Sequence, residues 1–276
     1  MDLSELPTLR ESLDAAGLLA RRSFGQHFLL DLNITRKIVR LAEVGADDDV
    51  LEVGPGPGGL TRALLEAGAR VTAIEKDARF LPILEALADH ADGRLTLVHG
   101  DALSVSPQHL PGHPTIVANL PYNVATPLLV GWLTGALAPS SMTLMFQREV
   151  ADRLVARPRS KTYGRLSVIV QALASAEIRM ELPARAFTPP PKVESAVVRI
   201  VPKPDSPTRS GIERLQQVTA AAFGQRRKML RTSLRPLGGE ALCSAAGLDP
   251  TARADAVEVE GYLALAAALE EGRAGA

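Results

Sequence analysis

The sequence predicts an α/β protein: a doubly wound parallel sheet followed by a small all-helical carboxyl-terminal part. Three observations carry this reading. From Asp49 to Gln147, short β-branched runs alternate with helical patterns at the spacing of βαβ units. A glycine-rich turn, Gly54-Pro55-Gly56-Pro57-Gly58-Gly59, follows the first of these strands, and beyond Pro207 the chain becomes helical and strand-poor.

Taken in order, residues 1–24 hold a short helix over 7–16, ended by Gly17. Phe24-Gly25-Gln26-His27-Phe28-Leu29 sets a Gln and a His between phenylalanines, ahead of a helix over 32–44. Such a loop can lie over a ligand or form a buried aromatic clasp. A strand over 49–53 runs into the glycine turn and a helix over 60–67, closed by Gly68. A strand over 70–75, a helix over 77–89 and a strand over 95–99 follow, the last leading into Gly100-Asp101-Ala102. Thr115-Ile116-Val117-Ala118, bounded by Pro114 and Pro121, reads as a buried strand.

That strand delivers Asn119-Leu120-Pro121-Tyr122. In open α/β sheets ligands collect at the carboxyl ends of strands. An amide, a proline and a phenol at such an end suit a planar, hydrogen-bonding substrate; an ordinary strand end punctuated by proline is the plainer reading. A helix over 127–137 is expected next, because Pro127 is tolerated in a first turn. A strand over 142–147 precedes an arginine-rich crossing over 148–165, helix then loop around Pro158. A helix over 166–174 and strands over 178–182 and 196–201 close the sheet. Between those strands, Phe187-Thr188-Pro189-Pro190-Pro191-Lys192-Val193 is a stiff, polyproline-like loop presenting one aromatic. The clearest linker is Pro202-Lys203-Pro204-Asp205-Ser206-Pro207, after which helices are expected over 211–223 and 226–234. The domains are accordingly drawn as 1–205, with its N-terminal helical extension, and 206–276.

At 276 residues with 46% hydrophobic content, the chain has room for one large domain and one small one. Its start has no basic flank or apolar stretch, so no secretory signal is expected. The longest uncharged tract, between Asp101 and Arg148, is broken by Pro, Gly, His and Asn, unlike a membrane span. A single cysteine, Cys243, excludes an intramolecular disulfide and a thiolate metal site, and a reducing cytoplasm fits it. The zero net charge hides an asymmetry: Lys203 to Arg235 carries eight Lys/Arg against two acids, whereas Glu240 to the end carries seven acids against two arginines. Basic zones of this kind suit a polyanion partner or a solvated face.

The glycine turn fits two templates. Gly54, Gly56 and Gly59 satisfy the dinucleotide pattern, with Glu75 about twenty residues on as a ribose acid. Glu52, Gly54, Gly56 and Gly58 satisfy the loop of S-adenosylmethionine-dependent methyltransferases. A pyrophosphate needs backbone N–H groups aimed at it, and Pro55 and Pro57 each remove one. S-adenosylmethionine carries no phosphate and needs only the close backbone approach that glycine permits. The residues therefore favour the methyl donor over a nicotinamide cofactor, with Glu75 suited to its ribose and Asp101 to its adenine amino group.

The ordered set Phe24 to Leu29, Glu52 to Gly58, Glu75-Lys76, Gly100-Asp101-Ala102, Asn119 to Asn123, Phe187 to Val193 and Ala222-Phe223-Gly224-Gln225-Arg226-Arg227-Lys228 spans nearly the whole chain. It resembles the small-subunit ribosomal RNA adenine dimethyltransferases of the KsgA/RsmA type. The resemblance implies a Rossmann-like class I methyltransferase sheet with a small all-helical C-terminal domain. It also implies dimethylation of two adjacent adenosines near the 3′ end of small-subunit (16S) rRNA. The implied partner is that rRNA within an immature ribosomal subunit, with S-adenosylmethionine as donor, no metal, no membrane, and a monomeric protein in the cytoplasm.

Carried over by position, His27 and Leu29 would cover the donor, with Gly54 and Gly56 beneath it. Glu75 would hold its ribose and Asp101 its adenine, Lys76 and Ala102 would also bind it, and Asn119 would sit near the transferring methyl. Relatives commonly have asparagine at position 27, so His27 is a departure. The Asn119 oxygen and the Leu120 carbonyl can accept the two N–H bonds of the adenine amine and aim its lone pair at the methyl. Pro121 stiffens the turn, and Tyr122 and Phe187 can stack on the two faces of a flipped base. Arg226, Arg227, Lys228 and Arg231 read as phosphate contacts. The rival readings are a large-subunit adenine methyltransferase of the macrolide-resistance type, a dehydrogenase on the same loop, and a non-catalytic ribosome assembly factor.

Overall fold

The computed structural model describes residue 3 and residues 5–18, 27–106 and 110–274; Phe24, Gly25 and Gln26 of the aromatic loop lie outside these. The first helix, α1 (Leu9–Ala15), starts at Thr8, whose hydroxyl accepts the Glu11 N–H while Glu11 accepts the Thr8 N–H. A reciprocal cap of this kind stabilises a short helix by about 1 kcal/mol.

Seven strands form the main sheet: β2 (Asp49–Val53), β3 (Arg70–Glu75), β4 (Leu95–His99), β5 (Thr115–Ala118), β6 (Ser141–Gln147), β7 (Ala174–Leu182) and β9 (Ser195–Pro202), in the order β4-β3-β2-β5-β6-β9-β7. Strands β4, β3, β2, β5 and β6 run parallel, and β9 returns antiparallel to β6. A second sheet is a two-residue pair, β1 (Phe28–Leu29) with β8 (Phe187–Thr188), antiparallel. Helices α3 (Gly59–Glu66), α4 (Leu81–Asp89) and α5 (Tyr122–Thr134) form the β2–β3, β3–β4 and β5–β6 crossovers, as parallel strands require. Chain order reverses between β2 and β5, which makes their carboxyl ends the natural ligand crevice.

The core over the sheet is built by Ile38 of α2 (Leu32–Leu41), Leu64 and Leu65 of α3, Val50, Val71 and Val117, all at most 2% exposed. Helix α5 begins at Tyr122, not at Pro127 as expected. Pro121 occupies the N-cap position, and Pro127 lies inside the helix. Pro127 cannot donate to the Asn123 carbonyl, at a cost of about 3 kcal/mol; burial of Leu128, Leu129 and Trp132, at about 1.5–3 kcal/mol per side chain, outweighs it.

Contacts divide the chain into two units, one of residues 1–151 and 177–201 and one of 152–176 and 202–276. The second unit holds α7 (Arg165–Leu173), α8 (Arg209–Gly224), α9 (Leu230–Ser233), α10 (Gly239–Ala245) and α11 (Val259–Ala274), with α6 (Arg148–Leu154) running into it. Residues 152–176, drawn with the sheet in the sequence reading, join the helices because of one aromatic cluster. Tyr163 meets the Phe223 ring edge-on at 6.1 Å, and Phe223 stacks on Tyr262 at 5.6 Å. Both buried phenols donate to backbone carbonyls, Tyr163 to Val257 at 2.9 Å and Tyr262 to Ala254 at 2.7 Å. The helix expected over 226–234 is a turn followed by the four residues of α9. Met229 bridges to Arg253 there, and Lys228 N–H bonds back to Gln225.

Candidate active site

Four parallel strands end at the crevice, and each delivers a residue singled out in the sequence. Strand β2 ends in the glycine turn, β3 in Glu75, β4 leads to Asp101 and β5 to Asn119. In the turn, Gly54, Gly56 and Gly58 have φ of +70°, +55° and +85°, a region that glycine enters without strain. The Gly54 N–H is bonded to the Ile74 carbonyl at 2.9 Å, Gly56 N–H to Glu75 Oε2 at 3.0 Å and Gly58 N–H to the Pro55 carbonyl at 3.0 Å. With Pro55 and Pro57 lacking an N–H, the stretch from Gly54 to Gly58 has no backbone donor left for a phosphate. The loop instead offers open backbone: a Cβ on Gly54 would meet nothing within 4 Å. This fits a phosphate-free ligand such as S-adenosylmethionine and disfavours a dinucleotide.

Glu75 is 6% exposed, and its two oxygens accept the N–H groups of Gly56 and Asp77, at 3.0 and 2.7 Å. Burial raises its pKa and those amide bonds oppose the rise. Glu52 is 1% exposed with Oε2 unpartnered, and burial pushes its pKa up to about 8. Asp101 pairs with Lys76 Nζ at 2.8 Å and accepts the Leu103 N–H at 3.0 Å, which holds its pKa low. Each Asp101 oxygen keeps a further lone pair for a ligand amine.

Two cavities meet at Gly54, Glu75 and Pro121. The larger, about 550 Å³, is lined by Gly54, Glu75, Lys76, Asp101, Ala102 and Asn123, and is large enough for a nucleoside-sized ligand. The smaller, about 80 Å³, is lined by His27, Leu29, Glu52, Gly56, Asn119, Leu120 and Tyr122. The Asn119 Nδ2 donates to the His27 carbonyl at 2.9 Å. A carbonyl can only accept, so this bond assigns the amide and leaves Oδ1 as its free acceptor. Tyr122 stacks on the His27 ring at 5.8 Å, and its hydroxyl pairs with Ser195 Oγ at 2.6 Å.

Phe187 lines neither cavity. It is 2% exposed and packs in the core cluster with Leu29, Leu182 and Val197, because β8 pairs Phe187 with Leu29. In the helical unit, Arg226 is spent on structure: its guanidinium donates to the Lys161 and Ser160 carbonyls at 3.1 and 3.2 Å and lies 3.6 Å from Asp255. Arg227, Lys228 and Arg231 are exposed, and Arg231 lines a cavity of about 450 Å³ with Thr232 and Arg235. Sequence reasoning missed Ser195, the Pro189 carbonyl that His27 Nδ1 reaches at 2.8 Å, and Phe80, which packs edge-on against Phe28 at 5.4 Å. None carries a local signal; each is brought in by pairing between distant segments.

Residues 17–271 match the family described as Ribosomal RNA adenine dimethylase. The chain is 65% identical over 268 residues to the Ribosomal RNA small subunit methyltransferase A of Phenylobacterium zucineum, covering 96% of this chain and 94% of that one. Among solved structures, a dimethyladenosine transferase from Plasmodium falciparum superimposes with a TM-score of 0.76 at 25% identity, covering 90% of this chain and 98% of that one. The 23S rRNA methyltransferase ErmE gives a TM-score of 0.67 at 30% identity, covering 88% and 99%. The sheet is thus that of a Rossmann-like class I methyltransferase, and with the glycine loop, the Asn119 motif and end-to-end similarity in agreement, the chain belongs to the ribosomal RNA adenine dimethylase family.

Proposed function

We propose that this enzyme transfers methyl groups from S-adenosylmethionine to N6 of two adjacent adenosines near the 3′ end of small-subunit (16S) rRNA. The product is N6,N6-dimethyladenosine, made on an immature subunit in the cytoplasm as part of small-subunit biogenesis. The observation that carries the reading is the 65% identity to a small-subunit methyltransferase over 96% of the chain. Likeness to the large-subunit enzyme ErmE is lower, at 30%.

In this reading the larger cavity takes the donor. Glu75 and Lys76 stand at its ribose, Asp101 and Ala102 at its adenine and Gly54 beneath it where the two cavities meet, with Gly56, His27 and Leu29 against it from the smaller cavity. When bound, the donor supplies an electrophilic sulfonium methyl group. The N6 lone pair of adenine is delocalised into the ring, so the amine is a weak nucleophile at rest. Asn119 Oδ1 and the Leu120 carbonyl accept its two N–H bonds, draw the nitrogen towards a pyramidal form and fix the direction of its lone pair. Positioning and preorganised acceptors of this kind are worth several kcal/mol. The nitrogen becomes acidic once it has formed its new bond, so its proton can leave to water and no side-chain base is needed first. Pro121 stiffens the turn, and Tyr122 offers a face for stacking at about 1–3 kcal/mol per base. Stacking by Phe187 as well would require its ring to turn out of the core cluster. The helical unit, with Arg227, Lys228 and Arg231 exposed, supplies the phosphate contacts. Small-subunit RNA or immature subunits incubated with the protein and labelled donor should yield dimethyladenosine at two neighbouring positions by mass spectrometry; label in large-subunit RNA alone would overturn the reading.

A further inference from the structure

One lining residue of the smaller cavity makes three distinct contacts. His27 presents its carbonyl to Asn119 Nδ2 at 2.9 Å, its ring Nδ1 to the Pro189 carbonyl at 2.8 Å and its ring face to Tyr122 at 5.8 Å. The register explains the second contact. Phe28 pairs with Thr188 and Leu29 with Phe187 in an antiparallel ladder, so His27 and Pro189 are its next rung. Pro189 has no N–H to continue the ladder, but its carbonyl accepts from the His27 imidazole at the side of the strand. The Pro189 carbonyl only accepts, so Nδ1 carries the proton in this contact.

We infer that His27 is a positioning residue for methyl transfer: its ring, anchored on Pro189 and Tyr122, holds its own carbonyl where it fixes the Asn119 amide with Oδ1 free for the adenine amine. The inference rests on the function proposed above and assigns His27 a part beyond covering the donor. The ring does not touch the reacting atoms in this role; it acts through Asn119. A loosened His27 carbonyl releases the Asn119 NH2, and the amide can then rotate to offer a donor where the reaction needs an acceptor. The same residue ties the base site to the 187–195 segment, because Tyr122 is held from its far end by Ser195 at 2.6 Å.

The test uses the full chain with His27→Ala, His27→Asn and His27→Phe. Asn places an amide N–H near the Nδ1 position and restores the bond to Pro189; Phe keeps the stack on Tyr122 and loses that bond. His27→Ala should lower kcat by about 10–100-fold, as small misplacements at a reacting centre do, a loss separate from any rise in donor KM that follows from losing its cover over the donor. His27→Asn should recover most of the rate and His27→Phe should not, and this pair decides the matter if the alanine variant folds poorly. A readout free of RNA accompanies it: the Asn119 side-chain NH2 should exchange with solvent slowly in the wild type and faster in His27→Ala and His27→Phe. A raised donor KM with unchanged kcat, or Asn119 exchange indifferent to the substitutions, overturns the inference. Wild-type protein that methylates no RNA sinks the proposed function instead, and the Asn119 exchange still decides the role of His27.

Discussion

Glu75 Oε2 accepts the backbone N–H of Gly56 at 3.0 Å, so the acid at the end of β3 fixes the middle of the glycine turn. Gly56, which makes this bond, and Gly54 face different surroundings. A Cβ on Gly56 would lie 3.0 Å from the Phe28 ring, whereas one on Gly54 would meet nothing within 4 Å. Both have positive φ, so either alanine variant should lose about 1–2 kcal/mol through backbone strain. Gly56→Ala should lose more stability, through the clash with Phe28. Gly54→Ala should lose chiefly donor affinity, because its new methyl projects into the cavity. Thermal melts beside calorimetric titration with S-adenosylmethionine separate the two; equal stability losses with unchanged donor binding would refute the assignment.

Asn119→Ala removes the amide oxygen that is proposed to accept the adenine N–H. Its Cα lies at the end of a buried strand, and the amide makes one bond, to His27, so folding and RNA binding should survive. Transfer should fall by about a hundred- to a thousandfold, the scale of losing one preorganised group at a reacting centre. Single-turnover methylation and filter binding with the same RNA check both halves. Transfer at the wild-type rate would sink the mechanism.

The residues proposed to hold the donor could be nominated from the sequence because their signals are local. Glycines, prolines and acids at strand ends declare themselves within a few residues, and the sheet sets the strand ends side by side. The base half was read only in part. Asn119 and Tyr122 announce themselves, but their partners are remote: His27 reaches Pro189 across 162 positions and Tyr122 reaches Ser195 across 73. Phe187 read as an exposed aromatic because its partner Leu29 is equally distant. Pro127 misplaced the start of α5, since a proline inside a helix is tolerated where the burial around it is large.

Glu52 gives the protein a pH signature. Burial raises its carboxyl pKa to about 8, far above the unfolded value, so the folded state holds a proton that the unfolded state has released. The stabilisation is fully present below the unfolded pKa and is lost as pH rises towards about 8. Glu75, also raised by burial, adds slope in the same sense. Glu52→Gln keeps the shape and abolishes the titration, so it should flatten the fall in stability across that window by an amount on the order of a few kcal/mol. Urea melts at several pH values measure the slope, and identical slopes in both proteins would contradict a neutral buried Glu52.

Phe187 should show a packing loss before any catalytic one. Phe187→Ala empties a site that is 2% exposed, at a cost of about 3–5 kcal/mol. Phe187→Leu keeps most of the volume and removes the aromatic face. If the ring also stacks on the base, the leucine variant should fold nearly as well as wild type yet accumulate monomethyladenosine, because the second methyl must be placed on a bulkier amine. An unchanged ratio of dimethyl to monomethyl product in Phe187→Leu would confine this residue to the core.

Arg226 and its neighbours should part ways under salt. Arg226 bonds the Ser160 and Lys161 carbonyls and faces Asp255, whereas Arg227 and Lys228 are exposed on the same turn. Arg226→Ala strands two carbonyls and should cost about 1–3 kcal/mol of stability, the range for leaving a hydrogen-bonding group unsatisfied. Arg227→Ala and Lys228→Ala should leave the melting temperature in place and weaken RNA binding at all sequences. Each phosphate contact removed lowers the slope of log K against log salt by about one. Titrations of small-subunit RNA at several salt concentrations read that slope directly; if Arg227→Ala and Lys228→Ala both keep the wild-type slope, the exposed cations of this turn are a solvated surface and the phosphate contacts lie elsewhere.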